Sequence, residues 1–593
     1  MAGSLLRWTL WPLIAVIVAA FAVAYRLQQP LVGTQSCSTT TPSSAGDTYC
    51  YQGITTLDDD RPDARCFSVT DGSFSHVLTD DQAADLEPAH VHASPGYVIP
   101  GLWDGHGHLL AYGEFLHSVD LFGSESLEDV RIRVKEYLNA NPDAGSKDHW
   151  LRGVGWDQTA FGRMPTAADV EQDPLLKGKY LMLDRIDVHC VWVSQSVLDL
   201  LPSDLPEIPG GEIVRDPGMG VFCDNAMDYI TKVWPQPTDE FKAKTVKTAM
   251  AKLNQVGLVG MHDAGATPST HRLYQKLAKT EDWTVRVYGM LECDKRNSFC
   301  PDEAVQIHDP DFKFTVRSVK LFGDGALGSW GSAMLDPYTD HPWTSGSLLI
   351  NASALTQVAK SWAAAGYQVN IHAIGDLANR NAVDALEAAL GQECPDDDAD
   401  HHLAPCQSLR RFRIEHAQII HPADQDRILA LGIIPSIQPT HATSDFKYAQ
   451  DRLGADRLRS SAYRMKSLLP ARPSLGSDFP VEPPNPFEGI YAAVTRRNPH
   501  TGKGPSAADP DLGFLPDEIL SLREALLGFT RSPAYAAFLE AKAGVIREGA
   551  FADWVVLDEP LDRLSFEDLR TLKVKETWVA GRRVYSRDDT NLP

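Results

Sequence analysis

Apolar runs that end in polar residues recur along most of this chain. They fall at Tyr97–His108, Gly257–Asp263, Val285–Glu292, Thr315–Asp324, Gln368–Asp376, Phe412–His416, Gly432–Gln438 and Pro473–Asp478. Segments with helical spacing separate them, for instance Ala354–Ala365 and Asn381–Leu390. Eight such strand–helix repeats predict an α/β fold, a (β/α)8 TIM-type barrel over residues 100–539 with its polar strand ends gathered at one mouth. The block at 112–250 is too long for one repeat and reads as an insertion over that mouth. Short β-type runs lie to either side: Cys66-Phe-Ser-Val-Thr and Ser73-Phe-Ser-His-Val-Leu before the barrel, Ala552-Asp-Trp-Val-Val-Leu and Glu576-Thr-Trp-Val-Ala-Gly after it. The two ends, 50–99 and 540–593, are expected to join as one small β-sandwich beside the barrel.

The first residues add a targeting segment. Trp8–Tyr25 is an uncharged apolar run between Arg7 and Arg26. As a helix it would measure about 27 Å, against a hydrocarbon core of ~30 Å. It predicts an N-terminal membrane helix, a signal anchor within residues 1–30, or a cleaved signal peptide, since Ala22-Val23-Ala24 supplies a cleavage site. Membrane contact is expected through this segment alone, followed by a Ser/Thr/Pro-rich linker at 31–49. Both alternatives route the catalytic region out of the cytosol. The cysteine couples Cys50/Cys66, Cys293/Cys300 and Cys394/Cys406 fit that route, because they lack zinc-pair spacing and read as disulfides. Cys190, in an apolar run, is expected to be a buried free thiol. The chain carries 55 Lys+Arg against 79 Asp+Glu, a net charge of −24, which argues against a nucleic-acid partner.

Candidate chemistry concentrates at the strand ends. Pro100-Gly-Leu-Trp-Asp-Gly-His106-Gly-His108 sets two imidazoles at i and i+2, on one face of a strand. Neutral imidazole ligates zinc and similar divalent metals. His372, His416 and Asp478 end later strands, and Lys320 lies in Val316-Arg-Ser-Val-Lys-Leu-Phe-Gly-Asp-Gly. Each alone fits a packed core histidine, a capping carboxylate or a solvated lysine. Their succession at consecutive strand ends points instead to a metal centre. Glu415, beside His416, is expected on the opposite face of its strand and is not counted as a ligand.

Taken in order, these motifs resemble the metal-dependent amidohydrolase superfamily. Lys320-Leu-Phe-Gly-Asp-Gly-Ala-Leu-Gly-Ser resembles its family 3, the YtcJ-like branch. Trp156-Asp157, His189 in Asp184-Arg-Ile-Asp-Val-His, and the tail Gly544-Val-Ile-Arg-Glu-Gly-Ala-Phe-Ala-Asp-Trp agree with that branch, and the similarity runs from about 50 to 585. The resemblance implies two divalent metals, expected as Zn2+. His106, His108 and Asp478 would bind one and His372 and His416 the other, with Lys320 bridging both as a carboxylated lysine. It implies a hydrolase that cleaves a non-peptide C–N (amide) bond of a small molecule. A metal-activated hydroxide would attack, and Asp478 would shuttle the proton to the leaving nitrogen. Trp156, Asp157, His189, Gln438 and His441 are candidates for substrate binding, and Asp324 for organising the Lys320 loop.

Other classes fit less well. Gly323-Asp-Gly325-Ala-Leu-Gly328 matches the dinucleotide pattern G-x-G-x-x-G, but no helix pattern opens after it and no acidic residue ends a second strand where ribose would need one. No G-x-S-x-G elbow supports a serine hydrolase. A catalytically inactive surface-anchored barrel would be expected to lack a ligand, and all six candidates are present. A mononuclear deaminase of the same superfamily is the nearest alternative, set aside on the expectation that Lys320 bridges two metals.

Overall fold

Eight parallel strands form a near-closed barrel. They are β1 (Leu102–Gly107), β2 (Leu258–Ala266), β3 (Arg286–Leu291), β4 (Phe314–Phe322), β5 (Gln368–Ala373), β6 (Arg413–His416), β7 (Ile434–Ile437) and β8 (Ser474–Leu475). Each falls on one of the eight apolar runs, in a computed structural model that describes residues 47–84, 91–394 and 403–588. The N-terminal anchor or signal segment, and all of the linker up to residue 46, lie outside the described residues. Among the described residues no helix is long and apolar enough to cross a membrane.

The strands are rich in Val and Ile, which suit a pleated, two-sidedly buried surface. Val287, Val316, Val319, Ile371 and Ile414 join one large core with the surrounding helices. The helix Ala352–Ala364 starts where Asn351 accepts the Ala354 N–H at 2.9 Å. The helix Asp376–Glu393 is dense in Ala and Leu, strong helix formers, and buries Ala378, Ala382, Ala385, Leu386 and Ala389.

The seam between β8 and β1 is closed by side chains as well as backbone. Asp104 accepts the Ser477 hydroxyl at 2.6 Å, and the Asp478 N–H donates to the His106 carbonyl at 2.7 Å. Glycine is required here: a Cβ on Gly476 would lie 2.5 Å from both Asp104 Oδ1 and the His106 nitrogen. This seam sets Asp478 against His106 on β1 and His108 just after it.

The two chain ends meet in one eight-stranded mixed sheet. Tyr97–Pro100 pairs parallel with Asp47–Thr55 on one side and antiparallel with Trp554–Leu557 on the other. Trp554 is its centre, packed edge-on against Phe67 and donating its indole N–H to the Tyr51 hydroxyl at 3.1 Å. A third sheet of six strands, between Val119 and Asp224, lies in the chain between β1 and β2.

Four disulfides occur among the described residues, and they fit an oxidising compartment. Three are the expected couples. The fourth corrects the reading of Cys190 as a free thiol: it is bonded to Cys223. Antiparallel register places the two directly opposite, with Cα atoms 4.0 Å apart. An apolar run gave no hint of that pairing.

Candidate metal and active site

The mouth of the barrel opens into a cavity of about 800 Å3. Its floor is a set of imidazoles around one carboxylate. Asp478 Oδ1 stands 3.4 Å from His106 Nε2 and 3.1 Å from His108 Nε2, while Oδ2 lies 3.7 Å from His441 Nε2. The ligand atoms of His106, His108 and Asp478 all lie within 4.8 Å of one another, and so do those of His416, His441 and Asp478. The His416 ring sits between those of His106 and His372, with centroids 4.7 and 4.5 Å away.

Backbone geometry builds this convergence. Asp478 and His416 adopt φ of +61° and +70°, the left-handed region, where each strand turns out of its ladder. For a non-glycine residue that conformation costs about 1–3 kcal/mol, and such strain clusters at functional sites. His441 comes from the first turn of the helix after β7, opened by Pro439.

The residues fit a divalent cation. His106 Nδ1 is held by Glu415 Oε2 at 2.5 Å and His416 Nδ1 by Gln438 Oε1 at 3.0 Å, which leaves the Nε2 atoms facing inward. The Nε2 atoms of His106, His372 and His441 are buried without a hydrogen-bond partner among the described residues. Burial pushes the pKa of His108, His372 and His416 down, toward the neutral imidazole that ligates metal. Burial opposes the charge of Asp478, but His106 and the hydrogen bond from His108 more than offset it, and the carboxyl is held well below its usual range.

Lys320 corrects an expectation. The two ligand groups share Asp478, not a carboxylated lysine, and Lys320 belongs to neither. Its Nζ donates to the Ala264 carbonyl at 3.0 Å and lies over the Phe322 ring at 4.8 Å. Asp478 has an oxygen toward each group, so coordination is by His and Asp, and the reading of two zinc ions bridged through Lys320 is withdrawn.

The other candidates are dispersed. His372, expected to ligate the second metal with His416, belongs to neither ligand group: it lies beside His416, and its Nε2 is 3.5 Å from Asp324 Oδ1. Asp324 accepts backbone N–H groups from Ala333, Ile374 and Gly375, and so pins the loop after β4 to the end of β5. His189 lines the cavity from the six-stranded insertion, its Nδ1 2.8 Å from Asp224 Oδ1. Asp157 lines it too, 3.9 Å from Arg185 and 3.6 Å from Lys447. Trp156 is fully buried in the insertion core, where its indole donates to the Leu183 carbonyl at 2.7 Å. Gln438 meets His416 from within the protein. Sequence reasoning passed over Asp224, which no motif marks; Glu415, set aside as a ligand, belongs to neither ligand group.

The sequence profile of the amidohydrolase family matches residues 91–585. This chain belongs to that family. It is similar to the YtcJ protein of Bacillus subtilis (strain 168), with 27% identity over 88% of this chain and 94% of that protein. It also resembles the N-substituted formamide deformylase of Arthrobacter pascens, 26% identical over 90% of this chain and 97% of the relative. A crystal structure of an uncharacterized metal-dependent hydrolase from Pyrococcus horikoshii OT3 shares the fold, with a TM-score of 0.68 and 22% identity over 88% of this chain and 99% of that one. The chain is a metal-dependent hydrolase of the family's kind, acting on a carbon–nitrogen bond outside peptides.

Proposed function

We propose that this amidohydrolase cleaves an N-substituted amide of a small, largely apolar molecule, with Asp478 as proton carrier. The observation that carries the reading is the pair of His/Asp groups that meet at Asp478 on the cavity floor. His106, His108, His416, His441 and Asp478 would hold the cation. When bound, a divalent cation lowers the pKa of water and polarises a carbonyl oxygen. Asp478 takes the proton from the attacking water and returns it to the leaving nitrogen; one carboxylate serves both half-reactions because its protonation alternates. His189, held by Asp224, and Asp157 face the cavity and would contact the substrate.

The cavity supports a substrate bulkier than a bare formamide. Tyr112, Phe115 and Phe122 line it side by side, with successive ring centroids 6.3 and 5.7 Å apart, and would take an apolar substituent. A relative named for deformylating N-substituted formamides agrees with amide cleavage, and this support replaces Lys320 as the ground for preferring an amidase over a deaminase. The disulfides and the apolar run at 8–25 support a catalytic region outside the cytosol, secreted or anchored by its N-terminal segment.

Metal analysis of purified protein, followed by a panel of N-formyl and N-acyl amines, tests the reading. Uptake of divalent metal with hydrolysis of at least one N-substituted amide is the expected result. Protein that is folded, metal-free after growth with excess metal, and inert toward the panel would refute it.

A further inference from the structure

Beneath the imidazole cluster, four fully buried side chains run across the barrel interior. His262 on β2 meets a guanidinium nitrogen of Arg413 on β6. Arg413 pairs in charge with Glu415, its Nε 2.7 Å from Oε1, and its Nη2 donates to Glu415 Oε2 at 3.0 Å and to the Gly105 carbonyl at 2.9 Å. Glu415 Oε2 then faces His106 Nδ1 at 2.5 Å.

The order of these contacts has a chemical consequence. A neutral imidazole carries one proton, and the nitrogen without it is the donor to a metal. A carboxylate gripped by a guanidinium can only accept, so in the neutral ring that a metal would require, Glu415 would hold the His106 proton on Nδ1 and leave the lone pair on Nε2. That Nε2 is buried, has no hydrogen-bond partner among the described residues, and looks toward Asp478.

We infer that Glu415 is a positioning residue for the metal: it fixes the tautomer and ring plane of His106, while Arg413, braced on His262 and Gly105, fixes Glu415. The inference rests on the proposed metal centre. It gives a function to a strand in which Glu415 and His416, adjacent in sequence, both serve one cluster, Glu415 through His106 and His416 directly. Groups that orient a metal-bound histidine typically change metal affinity by about 10–100-fold when lost.

The test is cobalt(II) binding to the full chain, followed by chelator competition and by the visible spectrum. Glu415→Asp keeps the charge beside Arg413 but withdraws the carboxylate by one methylene. Its cobalt affinity should fall about 10–100-fold, with a shifted visible band because the His106 ring is released. If that variant does not fold, the paired change Arg413→Met/Glu415→Leu removes both charges together and leaves no lone buried ion; it should show the same loss. Wild-type affinity and an unchanged spectrum in the folded variants would overturn the inference. Wild-type protein that binds no cobalt would overturn the metal reading itself, a result distinct from equal affinities.

Discussion

Asp553, just ahead of the strand Trp554–Leu557 of the terminal sheet, grips Arg286 at the start of β3 with both carboxylate oxygens, at 2.6 and 3.0 Å, and both side chains are buried. The guanidinium also stacks over Phe551 at 3.9 Å. This pair ties the sheet to the barrel end opposite the imidazole cluster. Removing one member of a buried pair leaves a lone buried charge and costs about 3–5 kcal/mol. Asp553→Ala should therefore lower the urea midpoint by that equivalent, while Arg286→Met/Asp553→Leu should recover part of the loss. Equal stability of Asp553→Ala and wild type would show that the pair is not what joins the two parts.

Asp478→Asn separates holding a metal from moving a proton. The amide keeps one carbonyl oxygen but can neither take a proton from water nor return one to nitrogen. General acid–base groups contribute about 10²–10⁴-fold, so kcat on a hydrolysed amide should fall by that order. Metal content should be measured on the same sample. Near-normal turnover at full metal content would remove Asp478 from the proton-carrying role.

His441 and Lys320 should behave in opposite ways. His441→Ala removes a nitrogen that sits with His416 and Asp478, and metal affinity should drop at least tenfold, the low end for altered metal surroundings. Lys320→Met keeps the stem and deletes an ammonium bonded to a backbone carbonyl, so metal content should stay at the wild-type level. Metal loss in Lys320→Met with none in His441→Ala would reverse this assignment.

The barrel was legible because two signals coincide: short apolar runs set the strands, and polar residues at their ends mark the mouth. His106, His108, His416 and Asp478 follow from that pattern. The Glu415 contact did not, since strict alternation sends it away from His416. The left-handed backbone at His416 ends the alternation, so both neighbours act on one cluster. His441 belongs to a helix start, where the strand-end rule does not apply. Cys190 and Cys223 needed the register of two strands 33 residues apart in sequence.

That disulfide makes a direct prediction. Closing a loop of this length stabilises by about 3–4 kcal/mol in the chain-entropy account. Cys190→Ala/Cys223→Ala should unfold at correspondingly lower urea, and wild-type protein should leave both residues unalkylated until a reductant is added. Alkylation of Cys190 in denaturant without reductant would restore the free thiol.

His271 provides a test of stability against pH. It lies on the helix Pro268–Leu277, packed edge-on to Phe314 at 5.5 Å, and neither ring nitrogen has a hydrogen-bond partner among the described residues. Burial pushes its pKa from 6.5 down to about 3. The unfolded chain therefore binds this proton below pH 6.5 while the folded one refuses it until about pH 3. Stability from this group is fully present above 6.5 and is lost as pH falls through that window, by about 1.4 kcal/mol for each unit well below 6.5. His271→Leu cannot titrate, so the stability difference between wild type and variant should move by about 1.4 kcal/mol in favour of the variant between pH 7.5 and 5.5. Urea unfolding at the two pH values measures it, and other titrating groups cancel because both proteins share them. A difference that stays constant would mean that His271 gains a proton in the folded state as readily as in the unfolded one, which its apolar packing forbids.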